Sequence, residues 1–401
     1  MSTVPQPLSR GLIVFMALAC GLSVANLYYG QPLAGPISQA LGMSKAATGL
    51  VVTLTQAGYG LGLAFVVPLG DLVENRRLIV VTALCGAVAL GLAAISPSAG
   101  LFLAASLLVG LGSVAAQMLV PVAAHFAPPE ARGRVVGDVM SGLIAGILLS
   151  RPASSLIADH FGWRAVFFAS AVVMLILSAA IARILPKRQP ESDHTYPQLI
   201  ASMGALLVET PILRRRAFYQ GCMFGAFSLF WTTAPLLLSG PVYRLSQTQI
   251  ALFALAGATS ALIAPVAGRM ADRGWTRPAT GAAFVAAALC FVLCWFGRGG
   301  GLGLWALVGA GLLLDLGVQT CQVLGQREIY SLAAHARSRL NGLYVALFFI
   351  GGAIGSGVGG AVYAWAGWAG AVALGLVFCA LAFGMYATEF MGARRMATEA
   401  V

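Results

Sequence analysis

Charge is what this chain has least of: 9% of its 401 residues are Asp, Glu, Lys or Arg, against about 25% in an ordinary soluble domain. A soluble fold needs a charged shell, and this scarcity excludes one. Also missing is a Gly-rich loop closing on Lys-Ser/Thr, which argues against direct ATP hydrolysis. The four histidines (His125, His160, His194 and His335) fall at loops or span ends, without metal-ligand spacing. No nucleophile–base pair is evident, so neither an enzyme nor a bound cofactor or metal is expected. The seven cysteines all lie inside apolar stretches. Cys290 and Cys294 share a helix face and read as small packing residues, and no disulfide framework is suggested.

What is abundant is apolar sequence. Hydrophobic residues make up 59% of the chain. They come in blocks of about 20, the length that crosses roughly 30 Å of hydrocarbon at 1.5 Å per residue. Spans are expected near 11–33, 48–70, 78–96, 100–124, 135–158, 163–185, 217–240, 250–268, 278–297, 302–326, 340–363 and 368–390. The fold class is therefore an all-α integral membrane protein of twelve transmembrane helices. The 49 glycines suit closely packed membrane helices. Pro121, Pro152 and Pro265 inside spans are tolerated as kinks, because neighbouring groups satisfy the freed backbone. The first apolar block is too long for a signal-peptide core and is read as a retained span.

Orientation follows from the basic residues. With both termini in the cytoplasm, 19 of the 24 Lys and Arg fall on that side. The opposite side holds four (Lys45, Arg164, Arg244 and Arg298), and Arg151 lies within a span. This positive-inside bias is expected of a chain with both termini in the cytoplasm. It also assigns the net charge of +11 to anionic lipid rather than to nucleic acid.

An internal repeat organises the chain. Ala131-Arg132-Gly133-Arg134-Val135-Val136-Gly137 matches Ala336-Arg337-Ser338-Arg339-Leu340-Asn341-Gly342 at an offset of 205 residues. The same offset pairs Gln117 with Gln322, Gly146 with Gly351, and Gly162-Trp163 with Gly367-Trp368. Pro68-x-Gly70-x-x-x-Glu74 resembles Gly268-x-x-x-Asp272-Arg273-Gly274 at an offset of 198. An offset of six spans makes the halves parallel, related by a pseudo-two-fold axis along the membrane normal. The expected organisation is a six-helix half over 1–185, a linker over 186–216 and a second half over 217–401. Leu199, Met203 and Leu206 recur at helical spacing in the linker and suggest a short amphipathic helix at the membrane surface.

These features together resemble the major facilitator superfamily over the whole chain. Gly70-Asp71-Leu72-Val73-Glu74-Asn75-Arg76-Arg77, echoed by Gly268-Arg269-Met270-Ala271-Asp272-Arg273-Gly274, is similar to that family's signature loop. The first copy departs from it, with Glu74 and Asn75 where Asp and Arg are usual. Ala25-Asn26-Leu27-Tyr28-Tyr29-Gly30-Gln31-Pro32-Leu33, Phe161-Gly162-Trp163-Arg164 and Arg337-Ser338-Arg339-Leu340-Asn341-Gly342 resemble a bacterial efflux-type branch, near the drug:proton antiporters and sugar exporters. Span five again departs. It carries Gly142-x-x-x-Gly146 and then Ser150-Arg151-Pro152 in place of a Gly-Pro-rich motif.

The resemblance puts spans one, four, seven and ten beside a central cavity, and span five at the interface of the halves. A charge near the bilayer centre costs roughly 2.5–3.5 kcal/mol on insertion scales, so it is expected to face a cavity or a partner. Asp315, midway along span ten, is the expected proton-coupling carboxylate, with Arg151 modulating it or binding an anionic group; a structural ion pair is the bland alternative. Neither charge has a mate in the repeat, since Asp315 aligns with Gly110 and Arg151 with Ser356. Gln319 and Gln322 share the helix face of Asp315. With Asn26, Tyr29, Gln117 and Trp231 they are the expected substrate cavity, interhelical packing being the alternative.

Gly70, Asp71, Glu74, Arg76, Arg77, Gly268, Asp272, Arg273, Arg132 and Arg337 are the expected cytoplasmic gate. Asp71 and Asp272 would accept hydrogen bonds at helix N-termini, and the arginines would bridge to the other half. Gly58-x-x-x-Gly62 and Gly351-x-x-x-Gly355-x-x-x-Gly359, with Gly352, Ser356 and Gly360 one residue on, are read as a seam that slides between halves, static close packing being the alternative. The implied activity is proton-coupled efflux of small amphiphilic molecules by a monomer working by alternating access. Transport of a sugar, nucleoside or organic acid, in either direction, is the alternative, and a non-transporting membrane sensor the alternative of a different class.

Overall fold

The computed structural model describes residues 9–128, 130–190, 195–257, 263–297, 299–332 and 337–398, without the side chains of 264, 265, 337, 338 and 391–398. Every regular element among the described residues is helical: α1 (Arg10–Ala25), α2 (Gly30–Ala40), α3 (Leu50–Phe65), α4 (Asn75–Ile95), α5 (Ala99–Gly112), α6 (Ala115–Phe126), α7 (Arg132–Phe161), α8 (Trp163–Ile184), α9 (Tyr196–Glu209), α10 (Pro211–Ser239), α11 (Gln247–Gly257), α12 (Ala264–Asp272), α13 (Thr276–Phe296), α14 (Gly300–Leu332) and α15 (Arg337–Thr398). Among the described residues, ten helical segments are long and apolar enough to cross a membrane. One of them, Arg339–Phe390, has the length of two crossings and bends at Gly367, whose φ is 63°. The shorter α11 and α12 lie on either side of 258–262, where the eighth span is expected.

Two spans expected as single helices are broken. Residues 26–29 form turns between α1 and α2. Pro32 explains the place, because its ring crowds the carbonyl four residues earlier, at Tyr28, and it has no N–H to offer. The fourth span breaks at 113–114, where the Ser113 hydroxyl donates to the Val109 carbonyl at 2.7 Å and competes with the backbone ladder. Pro121 and Pro152 stay inside continuous helices.

The helices form two compact units. Unit 1 comprises 1–43, 54–205 and 246–255; unit 2 comprises 44–53, 206–245 and 256–401. In unit 1, α1 and α7 touch through glycine: a Cβ on Gly146 would sit 2.2 Å from the Gly21 carbonyl oxygen, and one on Gly21 2.5 Å from that of Gly142. Gly58 meets Leu107 of α5 in the same way, and Gly112 of α5 meets Gly86 of α4.

In unit 2 the corresponding seam joins α10 to α15. A Cβ on Gly351 would lie 2.2 Å from the Gly221 carbonyl oxygen, and one on Gly355 2.1 Å from that of Gly225. Gly351, Gly355 and Gly58 thus pack closely within a unit, as the alternative of static packing expects, because small residues at four-residue intervals record close approach, not which helix approaches. The other edge of α15 meets 44–53, where Ser356 hydrogen-bonds Thr53 (Oγ–Oγ1, 3.0 Å) and its carbonyl lies against Gly49.

The repeat is visible in local geometry. Its mates Gly146 and Gly351 make the same kind of seam, each in its own unit. Gly162 and Gly367, at φ 79° and 63°, both take the left-handed conformation at a helix junction just before Trp163 and Trp368.

Candidate functional site

The buried carboxylate of unit 2 sits on α14. Asp315 is 3% exposed and its Oδ1 accepts the indole N–H of Trp231, on α10, at 2.9 Å. The local sequence makes room for that bond. At Gly311, one turn before Asp315, a Cβ would only touch the rings, 3.4 Å from Phe230 and 3.8 Å from Trp231, so the tight position is not here but at Gly257. Gly257, at the end of α11, would carry a Cβ 2.9 Å from Asp315 Oδ2 and 3.0 Å from Trp231. The Trp231 indole stands edge-on to Phe230, with centroids 5.4 Å apart. Phe224, Phe227 and Phe348 extend the aromatic cluster along α10 and α15. Gln319 and Gln322 follow Asp315 along α14, both half-buried.

Two unit 2 features were not singled out in the sequence. Gln220, fully buried, donates to the Val318 carbonyl at 3.4 Å. Arg216, which reads as part of a basic loop, is buried in α10, where it donates to Thr280 Oγ1 at 3.1 Å and pairs with Glu328 at 3.4 Å. Nearby, Glu389 pairs with Arg215 at 3.5 Å and Arg277 at 3.2 Å, and accepts from the Tyr219 hydroxyl at 2.8 Å. The separation of these residues in sequence hid the cluster.

Unit 1 gathers its polar residues at the break between α1 and α2. Asn26 is 3% exposed; its Oδ1 accepts from Ser170 of α8 at 2.6 Å, and Ser170 also hydrogen-bonds Tyr29. Gln117, on α6, hydrogen-bonds the Tyr59 hydroxyl of α3. Arg151, 2% exposed on α7, donates from Nε to Gln31 Oε1 at 2.8 Å, and its guanidinium lies 5.5 Å from the Tyr28 ring centroid. The structure therefore brings Asn26 and Tyr29 together in unit 1, and Trp231 and Asp315 together in unit 2. Gln31, fully buried, and Ser170 join the unit 1 set, which the sequence pattern alone does not mark.

The signature loops are built differently from one another. In the first, Gly70 and Asp71 close a 3₁₀ turn over Val67–Asp71. Glu74 then caps α4, accepting from the Arg76 and Arg77 amides at 2.9 and 3.0 Å. It thus takes the acid position that the sequence suggests for Asp71, and the N-terminal dipole favours it there. Arg76 donates to the Leu185 carbonyl at 3.3 Å, while Arg77 and Arg132 are exposed. In the second loop Arg327 of α14 donates to the Gly268 carbonyl at 2.8 Å and pairs with Asp272. Asp272 ends α12 rather than beginning a helix, and the hydrogen bond from Arg327 holds its carboxyl below the ordinary value. Arg273 is exposed, and the Arg337 side chain lies outside the described residues.

Helical spans that bury a carboxylate, a guanidinium and amide side chains mark functional positions inside a membrane protein. The family model of the Major Facilitator Superfamily matches residues 13–330 and 217–394, and the chain belongs to that superfamily. It is 42% identical over 370 residues to the uncharacterized transporter YgaY of Escherichia coli O157:H7, covering 92% of this chain and 93% of that one. It is 34% identical to the probable transporter SCO4007 of Streptomyces coelicolor, covering 91% and 84%. It is 27% identical to the chloramphenicol resistance protein of Streptomyces lividans, covering 68% of each. Among solved structures it is similar to the nucleoside transporter NupG, with a TM-score of 0.75 at 15% identity over 94% of this chain and 98% of that one, which shows the fold: twelve helices in two domains.

Proposed function

We propose that this secondary transporter couples proton movement to the efflux of small amphiphilic molecules, with Asp315 as the carboxylate that takes and releases the proton. One observation carries the reading: a buried acid on α14 held by the Trp231 indole N–H at 2.9 Å, beneath a run of aromatic rings. Burial penalises an ionised carboxylate, and a charge-assisted hydrogen bond offsets part of that cost. Protonation removes the charge, weakens the indole bond and frees the Trp231 ring to move. A substrate with an apolar face competes for the space the ring leaves, so proton and substrate exchange on one side chain pair. Arg151, the other unmated intramembrane charge, takes part from unit 1.

On this reading the energy source is the proton gradient and no cofactor is needed. The working form is a monomer in the bacterial inner membrane, with both termini in the cytoplasm. The halves over 1–185 and 217–401, joined by 186–216, move by alternating access, and the signature loops form the cytoplasmic gate. Drug efflux is favoured by the relative named for chloramphenicol resistance.

The test is flux in proteoliposomes loaded with chloramphenicol or a fluorescent amphiphilic dye under an imposed pH gradient. Outward flux collapsed by an uncoupler is expected, and Asp315→Asn should abolish the gradient-driven part while leaving counterflow exchange. Full gradient-driven flux in Asp315→Asn would end the proton role, and inward accumulation would reverse the direction.

A further inference from the structure

We propose that Arg151 and Gln31 form an anion-recognition site in unit 1, which selects substrates carrying a carboxylate on an apolar body. The inference rests on the transporter reading and adds the class of substrate. A guanidinium has donors and no acceptor. The bond from Arg151 Nε to Gln31 Oε1, 2.8 Å long, therefore assigns the Gln31 amide: its oxygen faces the arginine and its nitrogen is the other arm of the same planar group. That nitrogen has no hydrogen-bond partner among the described residues, although Gln31 is fully buried. A second donor is in the same position. Ser155 follows Arg151 by one turn on the same face of α7, is also fully buried, and its hydroxyl has no partner among the described residues.

Buried donors without acceptors are costly and call for an explanation, and a ligand that accepts from both would supply one. The cluster lies where the first span is broken, so Gln31 sits at the start of α2 rather than inside a continuous ladder. Tyr28 supplies a ring against the guanidinium at 5.5 Å. A planar group with two oxygens answers a guanidinium edge and an adjacent amide NH₂ together, and a carboxylate is the commonest such group. The Tyr28 ring would receive the apolar body of the ligand.

The experiment is calorimetric binding of 4-phenylbutyrate, and of its neutral counterpart 4-phenylbutyramide, to the purified full-length protein. The wild type is expected to bind the carboxylate at least about tenfold more tightly, as a charge-assisted pair implies. Arg151→Gln should erase that preference and Arg151→Lys retain part of it. Gln31→Glu places the protein's own carboxylate on the guanidinium and should also erase it; should Arg151→Gln fail to fold, Gln31→Glu decides. Equal affinities in the wild type, no binding of either probe, or a preference surviving in a folded Arg151→Gln or Gln31→Glu would overturn the site. Binding needs no gradient, so its failure is distinct from failure of the proton role of Asp315.

Discussion

Arg188 and Asn75 are joined twice: the Arg188 guanidinium donates to Asn75 Oδ1 at 3.0 Å, and the Asn75 backbone N–H donates to the Arg188 carbonyl at 2.9 Å. The signature loop usually has an arginine where this chain has Asn75, and here the segment after α8 brings an arginine to that place. Asn75 also donates to the Gly70 carbonyl at 2.5 Å, and Arg76 to the Leu185 carbonyl at 3.3 Å, so the loop and the connecting segment of unit 1 are one hydrogen-bonded assembly. Arg188→Ala and Asn75→Ala should each destabilise the purified protein, and the double variant should cost less than their sum by about 1 kcal/mol. Strict additivity in thermal unfolding would show the pair to be idle.

The Trp231–Asp315 bond can be tested apart from the aromatic volume around it. Trp231→Phe keeps a ring and removes the N–H, so gradient-driven flux should fall about tenfold, the worth of one hydrogen bond to a charged group. Gly257→Val should do at least as much damage, because its Cβ alone lies 2.9 Å from Asp315 Oδ2. Wild-type flux in Trp231→Phe beside a dead Asp315→Asn would remove the indole from the mechanism.

The glycine seams predict a contrast between packed and open positions. Gly146→Val and Gly351→Val push a side chain into backbone at 2.2 Å and should cost about 1–3 kcal/mol or more in unfolding stability. Gly137, on the exposed side of α7 with open space around it, should accept Ala with a gain of up to about 1 kcal/mol. Equal tolerance at all three positions would contradict the packing.

Asp272 gives a pH signature outside the spans. Its carboxyl is held below the ordinary value of 3.8 by Arg327, so folding gains from this pair above that pH. The gain is lost as pH falls through the lowered folded-state value. The effect is small because the carboxylate is exposed. Thermal shifts recorded from pH 5 down to pH 3 should therefore fall more steeply for the wild type than for Asp272→Asn, and parallel curves would show the pair contributes nothing.

Much of this was legible in one dimension. Gly162-Trp163 and Gly367-Trp368 stood out as repeat mates, and both glycines prove to be left-handed junctions, because the same chemistry at the same place in a repeat meets the same backbone demand. Asp315 was conspicuous because a charge inside an apolar block is expensive whatever surrounds it. Gln31, Ser170 and Arg216 were passed over, since an amide, a hydroxyl or one arginine among three carries no mark of burial until distant helices close around it. The breaks at 26–29 and 113–114 were hidden for a related reason: hydropathy counts apolar residues and is blind to a carbonyl displaced by Pro32 or captured by Ser113.

The sequence by itself determined the membrane, the number of spans and the inventory of unusual side chains, because the cost of transferring a residue into hydrocarbon depends on the residue and its neighbours along the chain. Only the tertiary structure decided the partners: Trp231 for Asp315, Gln31 for Arg151, Arg327 for Asp272, Gly221 for Gly351. Hydrogen bonds and close packing act over a few ångströms between helices whose order in space the sequence does not state.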